Sequence, residues 1–426
     1  MIDSIHTWVQ THRTEIIESV RRLVAINTEN HAPYGNEQSG QMAVAGMLNV
    51  LGCEVDTYAI GSVPGLLEHP YYWAMRPGLD RDGHARHNVM GIRRGTGGGK
   101  SLMFSSHMDT MPVGPDAWSK DPFGSDSTEE RLWGVGSYDM KAGLAASIMA
   151  VKALNDLGIE LKGDVMVESV IDEEYGGCNG TLAARLKYNA DLAIVPEPTN
   201  LIVCPAHHGG LMLRVTFFGK PGWGFSPDKP VDPVNALGRF IVVLNEWAAQ
   251  RNATVPVPAL YANNHSLPVL VNQVKAGEVN LPIFAARVPS NAWLTAWIET
   301  YPGEGPDAII ADLMAYYQQA QSRDAVLARF EPEYKPLRFL NGSGIDPQHA
   351  GVQTVANAVL QVRGSAVVQG APFACDGHIF NLYSTTPMVL CGPIGGGPHA
   401  PDEYIDLDPF LDLVETFIRT AVAWCG

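Results

Sequence analysis

The chain has 426 residues, of which 46% are hydrophobic and 17% charged, a composition typical of a folded globular protein. This length exceeds what one hydrophobic core usually serves, so two domains are expected. The formal net charge of -16 argues against nucleic acid as a partner, because an acidic surface repels phosphate groups.

The sequence carries no visible targeting segment. No run approaches the roughly 20 apolar residues of a membrane-spanning helix, so no membrane partner is expected. The N-terminal sequence MIDSIHTWVQ has no basic stretch followed by an apolar one. The six cysteines form no CxxC pair, which is typical of free thiols in a reducing compartment. We therefore expect a cytoplasmic protein.

The first half of the chain alternates helical patterns with short apolar runs. Apolar residues at helical spacing from Ile5 to Val24 predict an amphipathic helix, and a second helix is expected from Gly40 to Leu51. The runs SLMFSSH, DVMVESVIDEE and DLAIVPEP predict buried strands, and MKAGLAASIMAVKALNDLG predicts a helix after the first of them. This order predicts an α/β fold with a mostly parallel sheet flanked by helices.

The pattern changes near Gly209 and the α/β pattern resumes after NGSG, at Asn341. In between, LMLRVTFFGK and AWLTAWIETYP predict half-exposed strands, and two longer segments predict helices. We therefore expect a larger α/β domain of residues 1–208 and 342–426, with an inserted α+β two-layer domain of residues 209–341. Within it, VTFFG is expected to form an outer strand that can pair with a second subunit.

Five side chains of the types that bind metals each lie in a short motif. Two imidazoles and three carboxylates are the donors that a pair of divalent cations needs. Taken singly, each motif also has a structural interpretation, such as a helix cap or a solvated glutamate. Glu173 lies beside one of these carboxylates and is a candidate base. The five are His107 in SSHMDT, Asp139 in GVGSYDMKAG, Glu174 in IDEEYGG, Glu197 in VPEPTN and His399 in GGGPHAPDEY.

Together the motifs resemble those of one family. SSHMDTMPVG is similar to GHxDTVP and GVGSYDMKAG to GRGxxDMKGG, and EEYGG, PEPT and the late HxPDE follow in the same order. The chain thus resembles the co-catalytic metallohydrolases that include acetylornithine deacetylase, succinyl-diaminopimelate desuccinylase, aminoacylase and glutamate carboxypeptidase. The resemblance spans nearly the whole chain and implies a homodimer or higher homo-oligomer acting on a small molecule. It also implies that the larger domain is the catalytic, metal-binding domain and that the inserted one is a dimerisation or lid domain.

The resemblance also implies a role for each motif residue. One metal would be held by His107, Asp139 and Glu197, and the other by Asp139, Glu174 and His399. Asp109 would orient His107, and Glu173 would be the general base toward water. Zinc, manganese and cobalt all suit such donors, and the sequence leaves open which is bound and whether both sites fill.

The inserted domain departs from the family pattern. The family usually has G-x-x-x-H-x-S-x-P, whose His stabilises an oxyanion in the partner's active site, whereas this chain reads GKPGWGFSP with Trp223 at the His position. Glu299 stands where the family has an Arg that binds a substrate carboxylate. Ala286 stands at the position of a family Asn, for which Asn280 is a weaker substitute. Candidate substrate-binding residues are therefore Trp223, Phe225, His208, Asn235 and His378.

Three functions remain open on these residues. The first is hydrolysis of an amide C–N bond, with His207, His208 or His378 compensating for the missing imidazole. The second is hydrolytic deamination of an aromatic amine such as a nitro-substituted aminobenzoate, which resembles the chemistry of the divergent relative nitroanthranilate aminohydrolase. In that reaction charge spreads into the ring, on which Trp223 and Phe225 would stack. The third is a non-catalytic metal-binding relative, against which the intact Glu173 argues.

Overall fold

A computed structural model describes residues 2–31, 33–76, 78–176, 178–225, 227–277 and 287–426. The chain folds into two compact units. Unit 1 comprises residues 1–206, 344–371 and 375–426, and unit 2 comprises residues 207–343 and 372–374. No helix in the described ranges is both long and apolar enough to cross a membrane. The catalytic role expected for the first unit and the dimerisation role expected for the second stay predictions.

The helices and strands are numbered in chain order. The helices are α1 Ile2–Thr11, α2 Arg13–Val24, α3 Gln38–Val50, α4 Ala142–Asp156, α5 Asn179–Lys187, α6 Pro233–Thr254, α7 Pro306–Gln321, α8 Ala350–Arg363, α9 Gly377–Tyr383 and α10 Leu407–Cys425. The strands are β1 Glu54–Ala59, β2 His87–Arg93, β3 Leu102–His107, β4 Arg131–Trp133, β5 Val165–Val170, β6 Leu192–Val195, β7 Val203–Phe218, β8 Gly222–Trp223, β9 Val269–Ala276, β10 Arg287–Val288, β11 Asn291–Thr300, β12 Glu333–Leu340, β13 Ser343–Gly344, β14 Val368–Ala374, β15 Met388–Leu390, β16 Gly395–Gly396 and β17 Tyr404–Asp406.

The main sheet of unit 1 is mixed, whereas the sequence predicted a mostly parallel one. Its strands follow the order β1-β2-β5-β3-β6-β15. The pairings β5–β3, β3–β6 and β6–β15 are parallel, but β1–β2 and β2–β5 are antiparallel. Both antiparallel pairings involve β2, which runs opposite to β1 and β5. The described residues between β1 and β2 form no α-helix of the kind that usually connects parallel neighbours. The parallel centre carries the three strands predicted from the apolar runs.

The core of unit 1 lies between this sheet and the helices that pack on it. Helix α4 is buried on nearly all sides and contacts α10, α2 and β3. Its near-continuous apolar sequence is typical of a helix enclosed by other elements. The predicted N-terminal helix is two helices, α1 and α2, which meet at His12.

Unit 2 contains a four-stranded antiparallel sheet in the order β9-β11-β7-β12. Alternate residues of β7 are buried in a cluster with residues of α6 and α7, as the half-exposed pattern predicted. Asp232 caps α6 by accepting a hydrogen bond from the backbone of Val234 at 2.9 Å. The inward-facing β7 residues are Leu211, Leu213, Val215 and Phe217.

The expectation that VTFFG forms an outer strand was wrong. It is the end of β7, an inner strand that pairs with β11 on one side and, as far as Thr216, with β12 on the other. The sequence could not show this, because β12 follows β7 by more than 100 residues. The predictions for Asn280 and Ala286 fall outside the described residues.

Candidate metal centre

The carboxyl ends of three parallel strands bring the first site residues together. In the order β5-β3-β6, neighbouring strands run in the same direction, so their carboxyl ends lie at one edge of the sheet. His107 is the last residue of β3, Glu173 and Glu174 follow β5, and Glu197 follows β6. The tertiary structure therefore gathers four side chains that are up to 90 positions apart in the sequence.

Asp139, just before α4, lies between the two histidines. Its Oδ1 is 3.2 Å from Nε2 of His107, and its Oδ2 is 3.4 Å from Nε2 of His399. Glu197 Oε1 is 3.9 Å from His107 Nε2, and Glu174 Oε2 is 2.8 Å from His399 Nε2. Each oxygen of Asp139 thus faces a different group of donors, so all five predicted ligands converge.

The electrostatics of this cluster favour positive charge. Burial alone would lower the pKa of His107, but its hydrogen bond to Asp139 and the charge of Glu197 raise that pKa well above its usual value. The charge of Glu174 raises the pKa of His399 to about 12. Burial and the charge of Asp139 raise the pKa of Glu197 well above its ordinary range. These shifts share one origin, because carboxylates crowded in a buried volume favour any cation placed among them.

Asp376 joins the cluster and was not predicted from the sequence. Ligand atoms of Asp376, Glu173 and Glu197 all lie within 4.8 Å of one another. The Oγ1 hydroxyl of Thr181 donates a hydrogen bond to Asp376. A carboxylate in the turn ACDGH, directly before a helix, looks like a helix cap in the sequence. Only the fold shows that this turn reaches the glutamates.

Asp109 contacts His107 differently from the expectation. The Nδ1 of His107 is 2.9 Å from the backbone carbonyl of Asp109, while the Asp109 carboxylate is 3.8 Å away. That carboxylate accepts hydrogen bonds from the backbone N–H groups of Glu173 at 3.2 Å and Glu174 at 3.1 Å. It also accepts one from the side chain of Asn30 at 2.9 Å. Asp109 therefore contacts His107 through its main chain and holds the Glu173–Glu174 turn with its side chain.

Glu403 is a second residue that sequence reasoning missed, although the PDE motif contains it. Its side chain is buried and accepts hydrogen bonds from the backbone N–H groups of Gly136 and Tyr138, each at 2.8 Å, and of Asp139 at 2.9 Å. Burial raises the pKa of Glu403 to about 8. The loop that presents Asp139 is therefore held from the far end of the chain. The only signal in the sequence was the place of Glu403 in the PDE motif, four residues after the candidate ligand His399.

The substrate-binding candidates are divided between the two units. His378 is buried in unit 1, with Nδ1 3.0 Å from the carbonyl of Cys375. In unit 2, Trp223 and Phe225 are 57% and 82% exposed, with ring centroids 5.0 Å apart. Asn235 is exposed at the start of α6. His208 is buried in unit 2, with Nδ1 3.6 Å from Oε2 of Glu299.

Glu299 takes part in contacts of unit 2. Its Oε1 accepts a hydrogen bond from Nε1 of Trp297 at 2.8 Å, and its side chain is buried. His207 is also buried there, with Nε2 3.0 Å from Oγ of Ser343. The acidic residue at the family's Arg position is thus hydrogen-bonded to its own strand.

The donors in unit 1 fit divalent cations. They are imidazole nitrogens and carboxylate oxygens without a thiolate, which suits Zn²⁺, Mn²⁺ or Co²⁺. Glu197 Oε1 is buried, and within the described ranges no group donates a hydrogen bond to it. A buried oxygen without a donor is costly unless a cation or water meets it.

Comparisons with known proteins agree with this arrangement. The model described as peptidase family M20/M25/M40 matches residues 103–423. The chain is 24% identical over 455 positions to N-formyl-4-amino-5-aminomethyl-2-methylpyrimidine deformylase of Bacillus subtilis (strain 168), covering 100% of this chain and 98% of the relative. It is 29% identical over 457 positions to the deformylase of the same name from Halalkalibacterium halodurans, with the same coverage. Acetylornithine deacetylase of Photorhabdus laumondii is 26% identical over 257 positions, covering 57% of this chain and 60% of that protein.

Solved structures show the same fold. Human carnosine dipeptidase 1 superposes with a TM-score of 0.71 at 14% identity, covering 100% of both chains. The YXEP protein of Bacillus subtilis, described as a dinuclear metal binding peptidase, superposes with a TM-score of 0.61 at 16% identity, covering 98% of this chain and 99% of that chain.

Proposed function

This chain belongs to peptidase family M20/M25/M40 and is a hydrolase of C–N bonds, and from that membership we propose that it removes a small acyl group from the nitrogen of a small-molecule amine. One observation carries the proposal: the two oxygens of Asp139 face two separate groups of donors, and Glu173 lies beside them. A bridging carboxylate between two donor groups suits a pair of cations.

Two sets of residues would hold the cations. The first comprises His107, Asp139 and Glu197, and the second comprises Asp139, Glu174 and His399. Divalent cations bound there would lower the pKa of a water molecule and polarise the substrate carbonyl. Asp109 and Glu403 hold the two loops that present these ligands, through the backbone N–H groups described above.

Glu173 is proposed as the general base. Burial raises its pKa well above the ordinary value, the positive charge of His107 opposes this, and the charge of Asp376 adds to it. A carboxylate with a raised pKa takes a proton from water more readily than an ordinary one and can return it to the leaving nitrogen. As water loses a proton to Glu173, its oxygen bonds to the acyl carbon. The C–N bond then breaks, the proton passes from Glu173 to the amine nitrogen, and the acyl group leaves as a carboxylic acid.

The identity of the acyl group is inferred from the relatives. Both deformylases match over the full length of this chain, and their names describe removal of an N-formyl group. A relative that matches only part of the chain is named for another acyl group, as in acetylornithine deacetylase. We therefore propose a short acyl group, with formyl first. Hydrolytic deamination of an aromatic amine stays the alternative, supported by Trp223 and Phe225, whose exposed rings replace the expected imidazole.

The assay must separate acyl release from deamination. Protein loaded with Zn²⁺, Mn²⁺ or Co²⁺ is incubated with N-formyl and N-acetyl amines and, separately, with aminobenzoates. Release of formate or acetate supports the proposal. Release of ammonia from the aminobenzoates alone would replace it with the deamination alternative. Turnover of neither class by fully loaded protein would favour the non-catalytic interpretation.

A substitution tests the base. Glu173→Gln should lower kcat by about 100- to 10,000-fold, the usual contribution of a general base, while bound metal measured by elemental analysis stays unchanged. Glu129→Gln is the matched control, because Glu129 is exposed and should leave both readouts unchanged. Unimpaired turnover in Glu173→Gln would show that another group accepts the proton.

A further inference from the structure

Four aromatic side chains of unit 1 meet around α9, the helix that begins directly after Asp376, and we call them the aromatic wall: His69, Tyr71, His378 and Tyr383. The ring of Tyr71 lies 5.0 Å from that of His378 and 5.1 Å from that of Tyr383, measured between centroids. The ring of His69 lies 5.1 Å from that of Tyr383 at a right angle. Such spacings are those of favourable aromatic pairs.

One side of the wall is attached to the carboxylate cluster through α9. This helix begins directly after Asp376, whose carboxylate is grouped with Glu173 and Glu197 within 4.8 Å. His378 lies two positions further on and is 3.0 Å from the Cys375 carbonyl through its Nδ1. The position of the His378 ring is therefore set by the same turn that places Asp376 among the glutamates.

The other side is attached to the turn that carries Glu173 and Glu174. Residues 69–76 form a segment that ends at Arg76, whose Nε donates to Asp172 at 2.7 Å. The Arg76 guanidinium lies 4.7 Å above the ring centre of Tyr175. Asn179 accepts from the backbone N–H of Trp73 and donates to its carbonyl, both at 3.0 Å.

The buried contacts make this attachment strong. Arg76 is 2% exposed and Asp172 is fully buried, and Nη1 of the buried Arg86 also lies 3.4 Å from Oδ1 of Asp172, so two buried arginines balance the charge of this carboxylate. Asp172 is adjacent to Glu173, the proposed base. The wall is thus joined through Arg76 to the turn that carries Glu173, and through α9 to the turn that carries Asp376.

We propose that the aromatic wall binds a planar aromatic ring on the amine side of the substrate. This rests on the proposed deacylation. His378 is buried, whereas Tyr71 and Tyr383 are half-buried. A formyl or acetyl group has no ring, so a ring that meets the wall belongs to the leaving amine. An arylmethylamine or heteroarylmethylamine is the chemical class that places a flat ring one carbon from the nitrogen.

The test compares two formamides that differ in the planarity of one ring: N-formylbenzylamine, which is flat, and N-formylcyclohexylmethylamine, which has similar size but is not flat. Wild-type protein should have the higher kcat/KM for the flat substrate. Tyr71→Leu should reduce that preference about tenfold, which corresponds to about 1.4 kcal/mol and to the loss of one or two ring contacts. Tyr71→Phe should keep the preference, because it retains the ring.

Tyr188→Leu is the matched control, because Tyr188 is also half-buried and pairs with Tyr58 at 6.1 Å between ring centroids. It should leave the preference as in the wild type. An equal loss of kcat/KM for both formamides in Tyr71→Leu, with metal content and Tm unchanged, would overturn the wall as a ring-binding site. Hydrolysis of neither formamide by the wild type would instead contradict the proposed deacylation, so the two failures are distinguishable.

Discussion

Replacing Glu403 tests whether one buried carboxylate holds the loop that presents Asp139. In Glu403→Ala, the backbone N–H groups of Gly136, Tyr138 and Asp139 lose their acceptor. A buried N–H without a partner costs about 1–3 kcal/mol. Because Asp139 is only half-buried, water can reach its N–H group, which leaves two of the three N–H groups without a partner. We therefore expect the free energy of unfolding to fall by about 3–5 kcal/mol.

The same change should weaken metal binding. The loop is free to move Asp139 once its N–H is released, and groups that orient a ligand typically contribute about 10- to 100-fold to metal affinity. Glu403→Gln is the matched control. Its carbonyl oxygen can still accept from Tyr138 and Asp139, while its NH₂ would face the N–H of Gly136. Its cost should therefore be about half of that in the alanine variant, roughly 1.5–2.5 kcal/mol.

Urea unfolding followed by circular dichroism measures the stability, and competition with a chelator measures the metal affinity. The reasoning fails if Glu403→Ala unfolds within about 1 kcal/mol of the wild type and binds metal equally well. It also fails if the glutamine variant is the less stable of the two, because the cost would then not follow the number of unsatisfied N–H groups.

Three further predictions concern pH, the core of unit 2 and the metals. Burial lowers the pKa of His207 to about 4, whereas its pKa in the unfolded chain is about 6.5. Between pH 4 and 6.5, roughly, the unfolded state therefore binds a proton at His207 that the folded state does not. The free energy of unfolding should therefore fall by about 3 kcal/mol as the pH drops from about 6.5 to about 4. Urea unfolding at several pH values should show a smaller fall in His207→Gln. The same pH dependence in this variant and the wild type would contradict the prediction. Phe217→Ala should lower the free energy of unfolding by about 3–5 kcal/mol, because Phe217 is fully buried. The neighbouring Phe218→Ala should lower it by under about 0.5 kcal/mol, because Phe218 is 59% exposed. Equal losses in thermal unfolding would refute the assigned faces of β7. Removal of metal by a chelator should abolish turnover. It should also lower the Tm measured by calorimetry, because the crowded carboxylates would then repel one another, and adding back Zn²⁺ or Mn²⁺ should restore both. Unchanged activity and Tm after chelation would exclude a metal centre.

Local patterns were sufficient for the central strands and for the inserted helices. The apolar runs that predicted β3, β5 and β6 are strands in the structure, because a buried parallel strand needs a continuous apolar sequence. The alternation in β7 likewise predicted which residues face the helices, since successive side chains of a strand point to opposite sides. The inserted pair of helices, α6 and α7, was also predicted from spacing alone.

The sequence by itself determined the family of the chain, because its short motifs follow one another in a specific order, and from the same motifs it predicted five candidate metal ligands. It could not determine contacts between distant segments. Three such contacts join residues more than 100 positions apart. Glu403 accepts hydrogen bonds from the loop that carries Asp139, Asp376 lies close to Glu173 and Glu197, and β12 pairs with β7. Such contacts depend on how the strands are ordered in the sheet, and no local pattern of polarity or spacing records that order.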